Sequence, residues 1–119
     1  MSVKKLMVIG AGQMGSGIAQ VCAQAGYKVI LNDLKEEFVQ RGLGVISKNL
    51  SRNVEKGKMT EETMEGILNN LTTSTNLQDA ADVELVIEAA VENMDIKQQI
   101  FRQLDEITPK HAILASNTS

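Results

Sequence analysis

Apolar and polar positions along the chain alternate between short strand-like runs and helical stripes. Leu6, Met7, Val8 and Ile9 form a continuous apolar run that predicts a buried strand over 5–9. Four glycines follow, at Gly10, Gly12, Gly15 and Gly17, and then Ile18, Val21, Cys22 and Ala25 at i, i+3, i+4, i+7 spacing. That spacing predicts a helix buried along those four residues and stopped by Gly26. Val29, Ile30 and Leu31 predict a second strand ending at Asn32-Asp33, so the opening segment is a strand–helix–strand unit with a right-handed parallel crossover.

Farther on, Val39, Leu43, Ile46, Leu50 and Val54 keep a helical period over 35–56. Gly42 and Gly44 weaken that helix, each by up to about 1 kcal/mol against Ala. Gly57 ends it, and Thr60 caps another helix with Glu61 and Glu62 in its first turn. A third strand is expected at 71–74, a loop or single helical turn at 76–82, and a strongly apolar strand at 83–90 with Glu88 near its end. Ile96, Ile100, Leu104 and Ile107 then mark a helix face, stopped near Pro109, before a fifth strand at 112–116. Strands alternating with helices predict an α/β fold: a Rossmann-like doubly wound parallel sheet, with a two-helix insertion after the second strand.

Composition narrows the function. The 119 residues suit one domain, and 43% apolar content is enough for one core. A net charge of -3 argues against a general nucleic-acid or membrane-surface binder, and 3% aromatic residues leave no stacking platform for single strands. No apolar stretch approaches the ~20 residues that span a bilayer. The single cysteine, Cys22, permits no internal disulfide and fits a reducing cytosol, so a cytoplasmic protein is expected. No Cys/His cluster supports a metal site.

The sharpest chemical signal is Gly10-x-Gly12-x-x-Gly15, set between a strand and a helix with Asp33 downstream. Gly10 permits the turn out of the strand. Gly12 lets backbone approach a pyrophosphate, and Gly15 lets the helix lie close to the sheet. Free N–H groups and the positive end of the helix at Gln13 to Gly15 suit phosphate, so Gly10, Ala11, Gly12, Gln13, Met14 and Gly15 are the expected cofactor-binding loop. A carboxylate at Asp33 accepts hydrogen bonds from the adenosine ribose hydroxyls of NAD and repels the 2′-phosphate of NADP; Leu34, not a cation, follows it.

Gly10-Ala11-Gly12-Gln13-Met14-Gly15-Ser16-Gly17-Ile18-Ala19-Gln20, then Val86-Ile87-Glu88-Ala89-Ala90-Val91-Glu92, then Ile113-Leu114-Ala115-Ser116-Asn117-Thr118-Ser119 resemble the L-3-hydroxyacyl-CoA dehydrogenases, above all their bacterial 3-hydroxybutyryl-CoA branch. The resemblance covers essentially the whole chain. It implies an NAD-binding domain over 1–119, cut short at its C-terminus, with the helical domain that dimerises and helps enclose acyl-CoA lying outside. It also implies that the catalytic His, in an HFFNP-like motif, and its Glu partner lie beyond Ser119. By the same resemblance, Ala90 or Val91 lines the cofactor cleft, and Glu92 and Lys97 contact the nicotinamide-side ribose. Asn117 would sit near the nicotinamide, and Ser119 would bond the substrate's 3-hydroxyl or 3-keto oxygen. The substrate implied is an acyl-CoA, and the parent is expected to be a homo-oligomer. Apart from the resemblance, Glu92 reads as a helix-start carboxylate and Lys97 as a solvated lysine.

Lys48, Arg52 and Lys56 recur at i, i+4, i+8 on the polar side of the long helix. They read either as an ordinary solvated face or as a basic strip for the 3′-phosphoadenosine end of CoA. The resemblance raises the second reading for Lys56, with Arg52 and Asn49 as weaker contacts. His111, the only histidine, reads as a loop residue at the edge opposite the cofactor. Cys22 reads as core, and Met14 as packing under the cofactor or plain core filling. Two other readings remain: a non-catalytic NAD-binding or structural homologue, and a reductase of the 3-hydroxyisobutyrate or 6-phosphogluconate type.

Overall fold

The computed structural model describes residues 4–89, Gln98, Arg102 and the strand Ile113–Ser116. Strand β1 (Lys5–Ile9) leads through the glycine loop into helix α1 (Gln13–Gln24) and strand β2 (Lys28–Asn32). Helices α2 (Glu36–Glu55) and α3 (Glu61–Asn69) follow, forming the expected two-helix insertion before β3 (Leu71–Ser74). A 3-10 turn (Leu77–Asp82) precedes β4 (Leu85–Glu88), and β5 (Ile113–Ser116) completes the sheet. All pairings are parallel and the order is β3-β2-β1-β4-β5. The chain therefore winds outward from β1 to β3 and restarts beside β1 at β4. The crevice between β1 and β4, where the winding reverses, is where doubly wound sheets bind ligands.

Side chains alternate across the strands and divide the core in two. Leu6, Val8, Val29, Leu31 and Leu71 meet Ala19 and Ala23 of α1, Val39, Ile46 and Leu50 of α2, and Ile67 of α3. Met7, Ile9, Ile30 and Val86 point the other way, against Ala80 and Val83 of the 3-10 turn and its flank. The helix expected around Ile96–Ile107 lies outside the described residues except for Gln98 and Arg102, which are helical and exposed.

Two expectations need correction. The buried face of α1 is Gly15, Ser16, Ala19 and Ala23, not the stripe Ile18, Val21, Cys22, Ala25. Ile18 and Cys22 only flank the core, Ala25 is exposed, and Val21 is 65% exposed. The reason is distance. A Cβ on Gly15 would overlap the Gly10 carbonyl, so α1 lies too near the sheet for large side chains to face inward. Strand β4 is also shorter than its apolar run: Val83 closes the 3-10 turn and packs in the second core cluster.

The glycines of α2 differ in environment. A Cβ on Gly42 would stand 2.7 Å from Ser16 Oγ and 2.8 Å from the Ala11 carbonyl oxygen, whereas one on Gly44 meets nothing within 4 Å. Both substitutions gain helix propensity, about 1 kcal/mol. Gly44→Ala should therefore raise the thermal midpoint by several degrees, on the order of 1 kcal/mol of stability. Gly42→Ala should lower stability by about 1–3 kcal/mol, as overpacking does. Thermal unfolding followed by circular dichroism separates them, and equal shifts of the same sign would contradict the close approach at Gly42.

Candidate functional site

The five strands end at one level. Ile9 is in register with Asn32 and with Glu88, Asn32 with Ser74, and Glu88 with Ser116. Four of these terminal residues are polar, and Asn32, Ser74 and Glu88 are buried. Polar side chains thus collect at the carboxyl edge of a sheet whose interior is aliphatic.

The glycine loop leaves this edge from β1. Gly10 has φ 106°, a left-handed conformation that favours glycine and turns the chain off the strand. Its N–H donates to the Asn32 carbonyl at 2.7 Å. The Ala11 N–H donates to Asp33 Oδ2 at 2.8 Å, and the Ala11 carbonyl accepts from the buried Ser16 hydroxyl at 2.9 Å. Gly42 of α2 closes over the same carbonyl. The first half of the loop is thereby used up internally.

The second half faces outward. Gly12 is the N-cap of α1 but offers no side-chain cap, and the first turn carries no acidic residue. Gly12, Gln13 and Met14 are exposed, and a Cβ on Gly12 would meet no atom within 4 Å. At Gly12 an anion can approach the positive dipole end of this helix. Beside it, Asp33 spends one carboxylate oxygen on Ala11 and the other on the Leu34 N–H at 2.7 Å. A carboxylate has about four lone-pair sites, so capacity remains for hydroxyl donors. The phosphate-accepting helix start and a hydroxyl-accepting carboxylate are thus adjacent, which fits a dinucleotide.

The structure brings Gly10, Ala11, Gly12, Gln13, Met14, Gly15 and Asp33 together. Met14 is 54% exposed, which removes core filling as its role. Ala90, Val91, Glu92, Lys97, Asn117 and Ser119 lie outside the described residues, as does His111. On α2, Arg52 and Lys48 are exposed, and Lys56 is exposed at the C-cap. Arg52 also suits the last turn of α2 by its charge alone. Asn49 donates to Gln20 Oε1 at 3.3 Å and so ties α2 to α1. Burial pushes the Cys22 thiol up, away from reactive thiolate. Among the described residues no three His, Cys, Asp or Glu side chains gather as a metal site, and no helix is long and apolar enough to cross a membrane.

Reading the sequence missed Gly42, Ser16 and Ser74. Gly42 gave a signal, as a glycine inside a helix, but Gly44 gave the same one without the contact. Ser16 and Ser74 gave none, because a buried hydroxyl is indistinguishable from a surface one until its partners are known.

Residues 5–119 match the family described as 3-hydroxyacyl-CoA dehydrogenase, NAD binding domain. A probable 3-hydroxybutyryl-CoA dehydrogenase of Deinococcus radiodurans is 54% identical over 115 residues, covering 97% of this chain and 41% of the relative. A glyoxysomal fatty acid beta-oxidation multifunctional protein of Brassica napus is 44% identical, covering 98% of this chain and 16% of that protein. The crystal structure of (S)-3-hydroxybutyryl-CoA dehydrogenase from Ralstonia eutropha superposes with TM-score 0.94 at 40% identity, covering 99% of this chain and 42% of that one. The chain therefore spans about two fifths of the length of the bacterial dehydrogenases it matches. The chain therefore belongs to the family of 3-hydroxyacyl-CoA dehydrogenase NAD-binding domains.

Proposed function

We propose that this chain serves as the cofactor domain of an enzyme that interconverts a (3S)-3-hydroxyacyl-CoA, 3-hydroxybutyryl-CoA or another short-chain member, and its 3-ketoacyl-CoA. The observation that carries this is the Asp33 carboxylate, fixed 2.8 Å from the Ala11 N–H beside the exposed start of α1. NAD, when bound there, supplies the hydride acceptor. Asp33 holds the adenosine ribose, and the N–H groups from Gly12 to Gly15 take the pyrophosphate. By the family resemblance, Ala90 or Val91 would line the cleft, Glu92 and Lys97 would contact the second ribose, and Asn117 would lie by the nicotinamide.

Ser119 donates to or accepts from the substrate oxygen, and Lys56, with Arg52 and Asn49, meets the anionic end of CoA. The general base and its carboxylate partner come from chain outside these 119 residues, whose one histidine, His111, precedes β5. On this reading the 119 residues alone bind NAD without turnover. The parent associates with itself through its helical part.

Calorimetry should find NAD bound on the order of a hundredfold more tightly than NADP, since a 2′-phosphate faces the Asp33 charge. Equal affinities would remove the role given to Asp33. In the full-length enzyme, Ser119→Ala should lower kcat by about a hundredfold, as loss of a donor to a reacting oxygen does. Its affinity for NAD should hold, and unchanged turnover would count against the substrate contact. Lys56→Glu should raise the KM for acyl-CoA about fivefold at low salt, fading as ionic strength rises. A KM indifferent to both would leave Lys56 an ordinary surface charge.

A further inference from the structure

Asp33 is anchored on a second side, away from the glycine loop. Ser74 ends β3 in register with Asn32, and both are buried, at 6% and 4% exposure. The Ser74 hydroxyl accepts from Asn32 Nδ2 at 3.2 Å and from the Asn76 N–H at 3.0 Å. It faces two acceptors, Asp79 Oδ2 at 2.6 Å and the Asn76 carbonyl at 2.9 Å. The shorter contact is in the range of a charge-assisted O–H···O⁻ bond, so the proton goes to Asp79 and the lone pairs are left for the two N–H donors. The Ser74 carbonyl then accepts the Asp33 N–H at 3.2 Å.

Asp79 is itself held. It sits on the 3-10 turn, where Ala80 is buried in the core and Asp82 pairs with Lys5 at 2.8 Å. The chain segment Asn32-Asp33 is thus bracketed. On one side Gly10 and Ala11 donate to the Asn32 carbonyl and the Asp33 carboxylate; on the other, Ser74 holds the Asn32 amide and the Asp33 N–H. Ser74 touches the ribose-reading residue only through its backbone and its neighbour. A buried hydroxyl with satisfied partners is often a packing detail. Here one of its partners is the Asn32 side chain, next to Asp33, and the Ser74 backbone carbonyl takes the Asp33 N–H.

We propose that Ser74 is a positioning residue for cofactor recognition: it fixes the strand end from which Asp33 reaches the adenosine ribose. The inference rests on the NAD reading above. It makes Ser74 matter for NAD through Asp33 and by no other route, which a merely structural hydroxyl would not do.

The test is a double-mutant cycle on the intact protein, with NAD affinity read by calorimetry and folding checked by thermal melting. Ser74→Ala should weaken NAD about tenfold, the size of one lost buried hydrogen bond. In an Asp33→Ala background the same change should cost nothing further. Ser74→Thr, which keeps the hydroxyl, should restore affinity to within about twofold of the unaltered protein. If Ser74→Ala does not fold, the exposed Asp79→Asn takes its place in the cycle. It keeps an acceptor and removes only the charge, and about a threefold loss that vanishes without Asp33 is expected. An equal loss with and without the Asp33 carboxylate, or full affinity in a folded Ser74→Ala, overturns the proposal. Absence of NAD binding by the unaltered protein would instead bring down the reading on which it rests.

Discussion

Everything at the carboxyl edge depends on one steric constraint: where α1 and α2 meet the backbone of Gly10 and Ala11, neither Gly15 nor Gly42 has room for a Cβ. A Cβ on Gly15 would overlap the Gly10 carbonyl, and one on Gly42 would crowd Ser16 and the Ala11 carbonyl. Both α1 and α2 therefore close on the loop backbone itself. Once they do, α1 must present small residues to the sheet, Gly15, Ser16, Ala19 and Ala23, and its larger apolar residues turn aside or outward. The contact also satisfies the inner polar groups of the loop, because Ser16 and Asp33 supply the partners that no regular element provides. Gly12 and Gln13, at the start of α1, are left exposed. The exposure of this helix start follows from packing as much as from glycine flexibility.

The parallel register carries the constraint sideways. Because β3, β2, β1, β4 and β5 end at one level, their last residues form a row, and three of them are buried polar groups. Aliphatic side chains fill both faces below that row. Among the described strand residues the buried polar side chains, Asn32, Ser74 and Glu88, all lie at this edge, and Asn32 and Ser74 bond each other across neighbouring strand ends. Asp33 lies one residue beyond this row. It is braced by the loop from β1 and by Ser74 from β3, and its carboxylate keeps unused acceptor capacity.

Most of this was legible in the sequence wherever period or glycine chemistry decides. The apolar run at Leu6–Ile9, the stripe Val39, Leu43, Ile46 and Leu50, and the Thr60 cap, which accepts from Thr63 N at 3.1 Å, are found where they were expected, whereas Val54, the last of that stripe, is only half-buried and lies outside the core cluster. The face of α1 was not legible, because closeness to the sheet selects size over hydrophobicity and leaves Val21 65% exposed. The start of β4 was misjudged for a related reason. Val83 is apolar because it packs beneath a turn, not because it pairs in the sheet. Gly42 and Gly44 look alike in a one-dimensional pattern and differ only in what stands opposite them. Ser74 reads as the end of a short polar strand; its bonds to Asn32, Asn76 and Asp79 exist only after β2, β3 and the 3-10 turn are assembled.

The account joins family membership, loop geometry and the bracing of Asp33 into one claim, that NAD lies across the carboxyl edge with its adenosine ribose at Asp33. The most direct measurement is a crystal structure of the protein grown with NAD. A ribose hydroxyl within hydrogen-bond reach of the Asp33 carboxylate, and pyrophosphate oxygens on the N–H groups at the start of α1, are the predicted result. Density for the nucleotide elsewhere, or a ribose turned away from Asp33, would contradict it.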